Sequence, residues 1–434
     1  MRICCSLPFI SPDVAFAALA DQPHLVFLDS ATANDPRGKV SYIGFSPHST
    51  LSLTAGSDPY QALRGWMREV EAPFVPAEWP FEFAGGAVGW IGYDLARAAA
   101  SIPSRFAEMP GLPAGWFGLY TNLLGFDLAK GALFYLGTKE GAEEVSALLR
   151  KAGDQPSLPK IQWQTELDQQ CYQQRHEALR AYIAAGDVYQ ANLTLRFCAP
   201  RPAGVSMPTL YQQLRQLSPA PFAAYLETGA GALACASPER FLRLTSCGTV
   251  ETRPIKGTAA RQAEPQADAK AAQGLRENPK ERAENLMITD LLRNDLGKVC
   301  EIGSVRVPEL WSVESYAQAH HLVSAVTGQL RAELDVFDLL AATLPGGSIT
   351  GAPKHRAMQI IDELEAGPRG AYCGMLAWIG FDGAMDSAII IRTLTASADT
   401  LYAQAGGGIT WDSVWQAEYQ EAMVKIAPLL KLGS

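Results

Sequence analysis

Apolar and polar positions along the chain fall into short runs separated by turn chemistry. Leu25-Val26-Phe27-Leu28 reads as a strand, a polar turn runs through Asn34-Asp35-Pro36-Arg37-Gly38, and a second strand follows over 40–45. A helix is predicted over 58–70, with Pro59 near its start. Residues 83–93 alternate glycines with bulky apolar side chains, which predicts a strand under close backbone packing. Residues 117–126 and 132–136 pattern as a hairpin turning at Lys130-Gly131, and 152–160, with Gly153, Pro156 and Pro159, as a linker. Beyond it come a helix over 166–185, strands over 192–198, 223–227 and 241–244, and a helix over 281–296. The last third predicts strands over 372–381, 387–394 and 400–405 and helices over 354–365 and 412–430. Strands and helices do not alternate strictly, so the pattern points to an α+β fold with antiparallel sheets rather than to parallel βαβ units.

Composition narrows the function classes. The 434 residues are 48% hydrophobic and 19% charged, enough for a large core. The net charge of −9 argues against a general nucleic-acid surface, so an anionic ligand needs positive charge supplied locally. The eight cysteines include no Cys-x-x-Cys pair, which fits a reducing cytoplasm and no zinc ribbon. No apolar run approaches membrane-spanning length. The stretch 15–20 reads as structure and not as a cleavage region, because Pro8, Pro12 and Asp13 interrupt the apolar run before it.

Several segments carry candidate chemistry. In Arg253-Pro254-Ile255-Lys256-Gly257-Thr258, Pro254 fixes its own φ and Gly257 permits a sharp turn, so Lys256 is held in place. Taken alone, a solvated lysine at a strand end is the plainer reading. In the 281–296 helix, a stripe through Met287, Ile288, Leu291 and Leu292 extends back one turn to Glu284 and another to Glu281, bringing two carboxylates beside the buried face. A buried carboxylate is costly unless paired or bound to metal, although Glu281 also suits a helix N-terminus. Glu418 and Glu421 repeat the spacing in the last helix, where a surface ion pair from Glu421 to Lys425 is the plainer reading. Together the two helices offer hard oxygens suited to Mg²⁺. Gly346-Gly347-Ser348-Ile349-Thr350-Gly351 begins like a phosphate loop, but Ala352 stands where lysine is required. Gly406-Gly407-Gly408, read as following a strand, presents backbone amides to an anion or makes a simple turn. Arg392 ends an apolar run, where a charge needs a fixed partner.

Taken in order, these segments resemble the chorismate-utilising enzymes, which include the anthranilate, isochorismate, salicylate and aminodeoxychorismate synthases. Asp187-Val188-Tyr189-Gln190-Ala191-Asn192-Leu193, Ser237-Pro238-Glu239-Arg240-Phe241, the Lys256 hexapeptide, Glu284-Asn285-Leu286-Met287, His321-Leu322-Val323-Ser324, the stretch 344–354, Arg392-Thr393 and the stretch 403–408 carry the likeness. The resemblance implies a large antiparallel β-sandwich flanked by helices. Residues 1–155 would form the family's N-terminal region and 165–430 the chorismate-binding catalytic region, intertwined as one unit. Members that add water carry lysine where this chain has Gln190, and anthranilate synthases carry alanine where it has Lys256. The lysine therefore resembles the aminodeoxychorismate-forming branch. An anthranilate synthase with an incidental lysine, and a silent ligand-sensing or scaffold subunit, are the rival readings.

That resemblance also implies roles. Glu281, Glu284, Glu418 and Glu421 would hold Mg²⁺. Arg392, Tyr372 and the amides of Gly406, Gly407 and Gly408 would take the enolpyruvyl carboxylate of chorismate, with Thr258, Thr350 and Lys425 lining the same site. Lys256 would be the nucleophile and Glu239 the acid, so Glu239 is expected to keep its proton. His321 would stand near the leaving hydroxyl. No glutaminase nucleophile motif is present, so nitrogen is expected from free ammonia or a separate glutamine amidotransferase subunit. Phe27-Leu28-Asp29-Ser30 resembles the family's tryptophan-binding segment, making Asp29 and Ser30 candidates for such a pocket.

Overall fold

Apolar β-branched and aromatic runs bounded by Gly, Pro and Asp turns collect into two antiparallel sheets, of twelve and ten strands among the described residues. The computed structural model describes residues 2–32, 38–150, 158–316 and 319–433. Most of the predicted turn at 34–38 and most of the predicted linker lie outside them. The α+β antiparallel architecture is present.

Strands from early and late in the chain share both sheets. In the twelve-stranded sheet Val26–Asp29 pairs with Phe222–Glu227, and in the ten-stranded sheet Gly86–Ile91 pairs with Met375–Gly380. One core cluster joins the two layers, packing Val26, Ala224 and Leu233 of one sheet with Val88, Trp90 and Leu376 of the other. The glycine-rich pattern over 83–93 has its reason here, since a Cβ at Gly89 would lie 1.9 Å from the carbonyl oxygen of Trp116.

Three predicted elements are corrected, two of them by the way the chain changes sheets. The run 117–126 is two strands, Gly115–Tyr120 in the ten-stranded sheet and Leu123–Asp127 in the other, and only the second forms the hairpin with Ala132–Gly137. The run 387–394 divides into Met385–Ile389 and Thr393–Ala396, again in different sheets. A third crossing joins Ala232–Ser237 to Arg240–Leu244. The last two corners are tied together, as Ala236 N donates to Arg392 O at 3.1 Å and Ile389 N to Glu239 O at 3.2 Å. The third correction concerns the glycine triplet, which lies inside the strand Thr400–Ile409 and not in a loop after it.

Candidate active site

The Lys256 strand, Ile255–Ala260, pairs with Ala319–Gln329 so that Lys256 stands opposite Leu322 and Thr258 opposite His321. Gly257 is the extra residue of this bulge, with φ +77°, a conformation that glycine adopts without a Cβ penalty. A Cβ there would come 2.7 Å from a carboxylate oxygen of Glu281. The bulge therefore seats the first acidic helix directly against the lysine strand.

That helix is Pro279–Gly297, begun by Asn278, whose Oδ1 accepts from the amides of Lys280 (3.0 Å) and Glu281 (3.3 Å). Its buried residues are Asn285, Ile288, Thr289, Leu292, Asp295 and Leu296, a more polar face than the expected stripe. The polar members are satisfied: Asn285 Nδ2 donates to Leu322 O at 3.3 Å and Ser324 Oγ donates to Asn285 Oδ1. Lys354, two places late for a phosphate loop, donates to Asp295 and to Thr343 O. These bonds fix Glu281 and Glu284 beside Lys256.

The second acidic helix, Trp415–Leu430, starts three residues later than predicted because Ser413 is used in the turn before it. Thr410 N donates to Ser413 Oγ at 3.1 Å, and that hydroxyl donates to Glu418 Oε1 at 2.7 Å. Lys425 Nζ lies 2.6 Å from Glu421 and donates to Gly406 O at 3.1 Å. The predicted ion pair thus forms, but it reaches the glycine strand. Lys280 Nζ stands 3.9 Å from Glu284 and 3.8 Å from Glu418, an ammonium bridging the two helices.

Burial pushes the Glu284 carboxyl up, Lys256 pulls it down, and Glu281 raises it again, leaving it above the usual range. Burial likewise raises Glu281 against the opposing charge of Lys280, with Glu421 adding to the rise. Burial also acts on Glu421, but Lys425, Lys256 and Lys280 outweigh it and hold that carboxyl low. Among the described residues, no three His, Cys, Asp or Glu side chains converge closely enough to hold an ion directly. The donor set still fits a hydrated hard cation. It consists of carboxylates, the Lys280 ammonium already stands between two of them, and Gly407 leaves room above the backbone.

Glu239 and Arg392 occupy the two tied corners. Burial raises the Glu239 carboxyl, opposed by Lys256, a hydrogen bond from Ser348 and Lys425. Arg392 has φ +51°, and burial alone lowers its guanidinium; no carboxylate pairs with it among the described residues. Tyr372 is buried beside Cys373, and burial pushes its hydroxyl well up. Gly406, Gly407 and Gly408 pair with Thr194, Leu193 and Asn192 on one side. Their other neighbour, Thr393–Ala396, pairs only as far as Ala403, which leaves that edge open beside the site. A Cβ at Gly406 would lie 2.3 Å from Leu193 O, and one at Gly407 3.4 Å from Glu418.

Thr350 is buried, donating its hydroxyl to Gly346 O at 2.8 Å and accepting at its carbonyl from Asn192 N at 2.8 Å, which places it against the strand Gln190–Pro200 that pairs with the glycines. His321 lies across from Thr258, with Nδ1 3.0 Å from Oγ1 and its ring against Tyr316. Its neighbour His320 is a structural residue, held by Ser315 and Asp268. Asp29 and Ser30 make none of these contacts. Asp29 accepts from Arg215 (2.6 Å) and Tyr211 (3.0 Å), and Ser30 donates to Val40 O at 2.8 Å. Both line a cavity of about 460 Å³ with Tyr42, Phe81 and Trp378. Sequence reasoning misses Lys280, Ser348 and Ser413. Only Lys280 leaves a signal, its i,i+4 spacing to Glu284.

Residues 24–431 match the chorismate binding enzyme family. The chain is 39% identical to aminodeoxychorismate synthase component 1 of Klebsiella aerogenes, over 98% of this chain and 97% of that one. It is 33% identical to anthranilate synthase component 1 of Bacillus caldotenax, over 97% and 91%. Among solved structures, anthranilate synthase component I from Streptococcus pneumoniae TIGR4 superposes with a TM-score of 0.80 at 29% identity, covering 92% of this chain and 93% of that one. The menaquinone-specific isochorismate synthase MenF from Escherichia coli shares the fold, with a TM-score of 0.76 at 17% identity over 100% and 94%. The chain belongs to the chorismate binding enzyme family.

Proposed function

We propose that this chain is an aminodeoxychorismate synthase component I, converting chorismate and ammonia to 4-amino-4-deoxychorismate for p-aminobenzoate and folate synthesis. The supporting observation is the position of Lys256, which lies within electrostatic reach of Glu239 and of Glu281, Glu284 and Glu421. A nucleophile, a proton donor and a metal-type carboxylate set thus face one another.

In this reading Arg392, with no carboxylate of its own, takes the enolpyruvyl carboxylate, aided by Tyr372 and the open edge of Gly406, Gly407 and Gly408. Thr258, Thr350 and Lys425 line the same space. The uncharged Lys256 amine bonds to C2 as the ring double bond shifts and the C4–O bond breaks. Glu239, whose carboxyl burial raises, protonates the departing oxygen so that it leaves as water, with His321 on that side. Ammonia then bonds to C4, and the C2–N bond to Lys256 breaks. Glu281, Glu284, Glu418 and Glu421 would hold Mg²⁺, directly or through water. When bound, the ion supplies positive charge for the ring carboxylate.

The relatives' designation as component 1 supports a second component, which we read as a glutamine amidotransferase supplying ammonia. Reduced cysteines support a cytoplasmic setting, and no described helix is long and apolar enough to cross a membrane. The aromatic cavity beside Asp29 and Ser30 is read as a tryptophan pocket.

The test is to incubate the purified chain with chorismate, Mg²⁺ and ammonium. Aminodeoxychorismate is expected, together with a chorismate adduct on Lys256 by mass spectrometry that Lys256→Ala abolishes. Release of fluorescent anthranilate would replace this reading with anthranilate synthase. No turnover by folded protein would favour a sensing or scaffold subunit.

A further inference from the structure

The glycine strand needs bracing, because Gly406, Gly407 and Gly408 carry no side chains to pack and lose the most conformational freedom on being ordered. Side chains alternate between faces along a strand, and Gly407 turns its open face to Glu418, so Gln404, Gly406 and Gly408 face the other way. Behind that rear face lies Arg369, 1% exposed, between the helix Lys354–Leu364 and the strand Met375–Gly380. Its guanidinium donates from Nε and Nη2 to Glu365 at 2.9 and 2.7 Å, from Nη1 to Ile349 O at 2.8 Å, and from Nη2 to Asn192 O at 3.2 Å. Its carbonyl accepts from Gln404 Nε2 at 2.9 Å and from Tyr372 N at 3.2 Å. Glu365, itself buried, also accepts from Thr194 Oγ1 at 2.8 Å.

These partners come from separate parts of the chain that meet around the glycines. Ile349 precedes Thr350, Asn192 and Thr194 pair with Gly408 and Gly406, and Gln404 belongs to the glycine strand itself. A buried ion pair gains little stability over apolar packing of the same size, so stability alone does not account for this one. What a guanidinium fork adds is several fixed bond directions at once. We propose that Arg369 is a positioning residue for chorismate: from behind the glycine strand it sets Thr350, Tyr372 and the glycine amides relative to one another, and so the fit of the enolpyruvyl carboxylate. This rests on the reading of those groups as that carboxylate's site.

The test follows product formation by the purified chain with chorismate, Mg²⁺ and ammonium chloride. Arg369→Lys keeps a positive charge beside Glu365 and loses the fork that reaches Ile349 O and Asn192 O. It is expected to raise chorismate KM by about tenfold or more while kcat stays within about threefold, the pattern of lost binding rather than lost chemistry. The rise in melting temperature on adding Mg²⁺ is expected to match the parent's, because the four glutamates sit on other elements. Gln404→Met leaves the pair of Arg369 with Glu365 in place and removes only its link to the glycine strand. It is expected to raise chorismate KM by about threefold or more, and it carries the test if Arg369→Lys does not fold. Either variant, folded and with chorismate KM within about twofold of the parent, overturns the proposal, as does an equal fall of kcat and kcat/KM with the Mg²⁺ shift lost. A parent chain that releases anthranilate sinks the functional reading instead, and the same chorismate KM comparison still decides the role of Arg369.

Discussion

Gly257→Ala separates the stability of the lysine strand from its chemistry. Alanine at φ +77° costs about 1–2 kcal/mol in backbone conformation. The new Cβ would also stand 2.7 Å from a Glu281 carboxylate oxygen, 3.0 Å from Leu275 Cδ1 and 3.1 Å from Glu281 Cβ. The carboxylate end is flexible and swings away cheaply, so the unfolding free energy should fall by only about 1–3 kcal/mol. Function should fall further, because the group that swings away is one of the four carboxylates read as metal ligands. Displacement of a positioned group by about 1 Å can cost on the order of 10²-fold in rate. Urea unfolding measures the first quantity, and the rate of Lys256 adduct formation against Mg²⁺ concentration measures the second. Gly274→Ala is the control, since nothing lies within 4 Å of its Cβ position on the helix Pro265–Glu277. It should gain up to about 1 kcal/mol and react normally. A Gly257→Ala protein with unchanged adduct rate and Mg²⁺ dependence would refute the link between the bulge and the acidic site.

Arg392→Met should raise chorismate KM by about tenfold or more without lowering the melting temperature, because it removes a partly buried cation with no carboxylate partner; a clear loss of stability would show that the guanidinium is structural. Asp295→Ala should destabilise by about 3–5 kcal/mol, since Lys354 is left buried without its anion, and thermal unfolding reports it. Glu239, Glu281 and Glu284 are raised in the folded chain, so what they contribute to stability is present below the ordinary carboxylate range and lost as pH rises through their folded values; Glu421, held low, works against this. Mg²⁺ should therefore raise the melting temperature most near pH 7–8 and hardly at all by about pH 4. A Mg²⁺ shift independent of pH in thermal scans would count against the four-glutamate site.

Much of the site is legible from local spacing. Glu281 with Glu284, and Glu418 with Glu421, sit three apart on helices that the sequence predicts, the first of them capped by Asn278. The Lys256 hexapeptide carries its own constraint in Gly257. What is not legible comes from tertiary pairing. From the sequence, 387–394 is one apolar strand, because no Gly or Pro marks the break; Arg392 takes its left-handed conformation only where the chain changes sheets. Three glycines read as a turn by propensity, yet pairing with Gln190–Pro200 keeps them extended. Ser348 and Ser413 are ordinary loop serines until Glu239 and Glu418 arrive beside them.

The tied corners make activity a report on global assembly. Met385–Ile389, which leads into Arg392, is braced by Met375–Gly380 and that in turn by Gly86–Ile91. Ala232–Ser237, which leads into Glu239, is braced by Phe222–Glu227 and then by Val26–Asp29. A chain still lacking its early strands has neither scaffold complete, so the acid and the guanidinium come into register together or not at all. A polypeptide that has lost those early strands then offers no half-formed site.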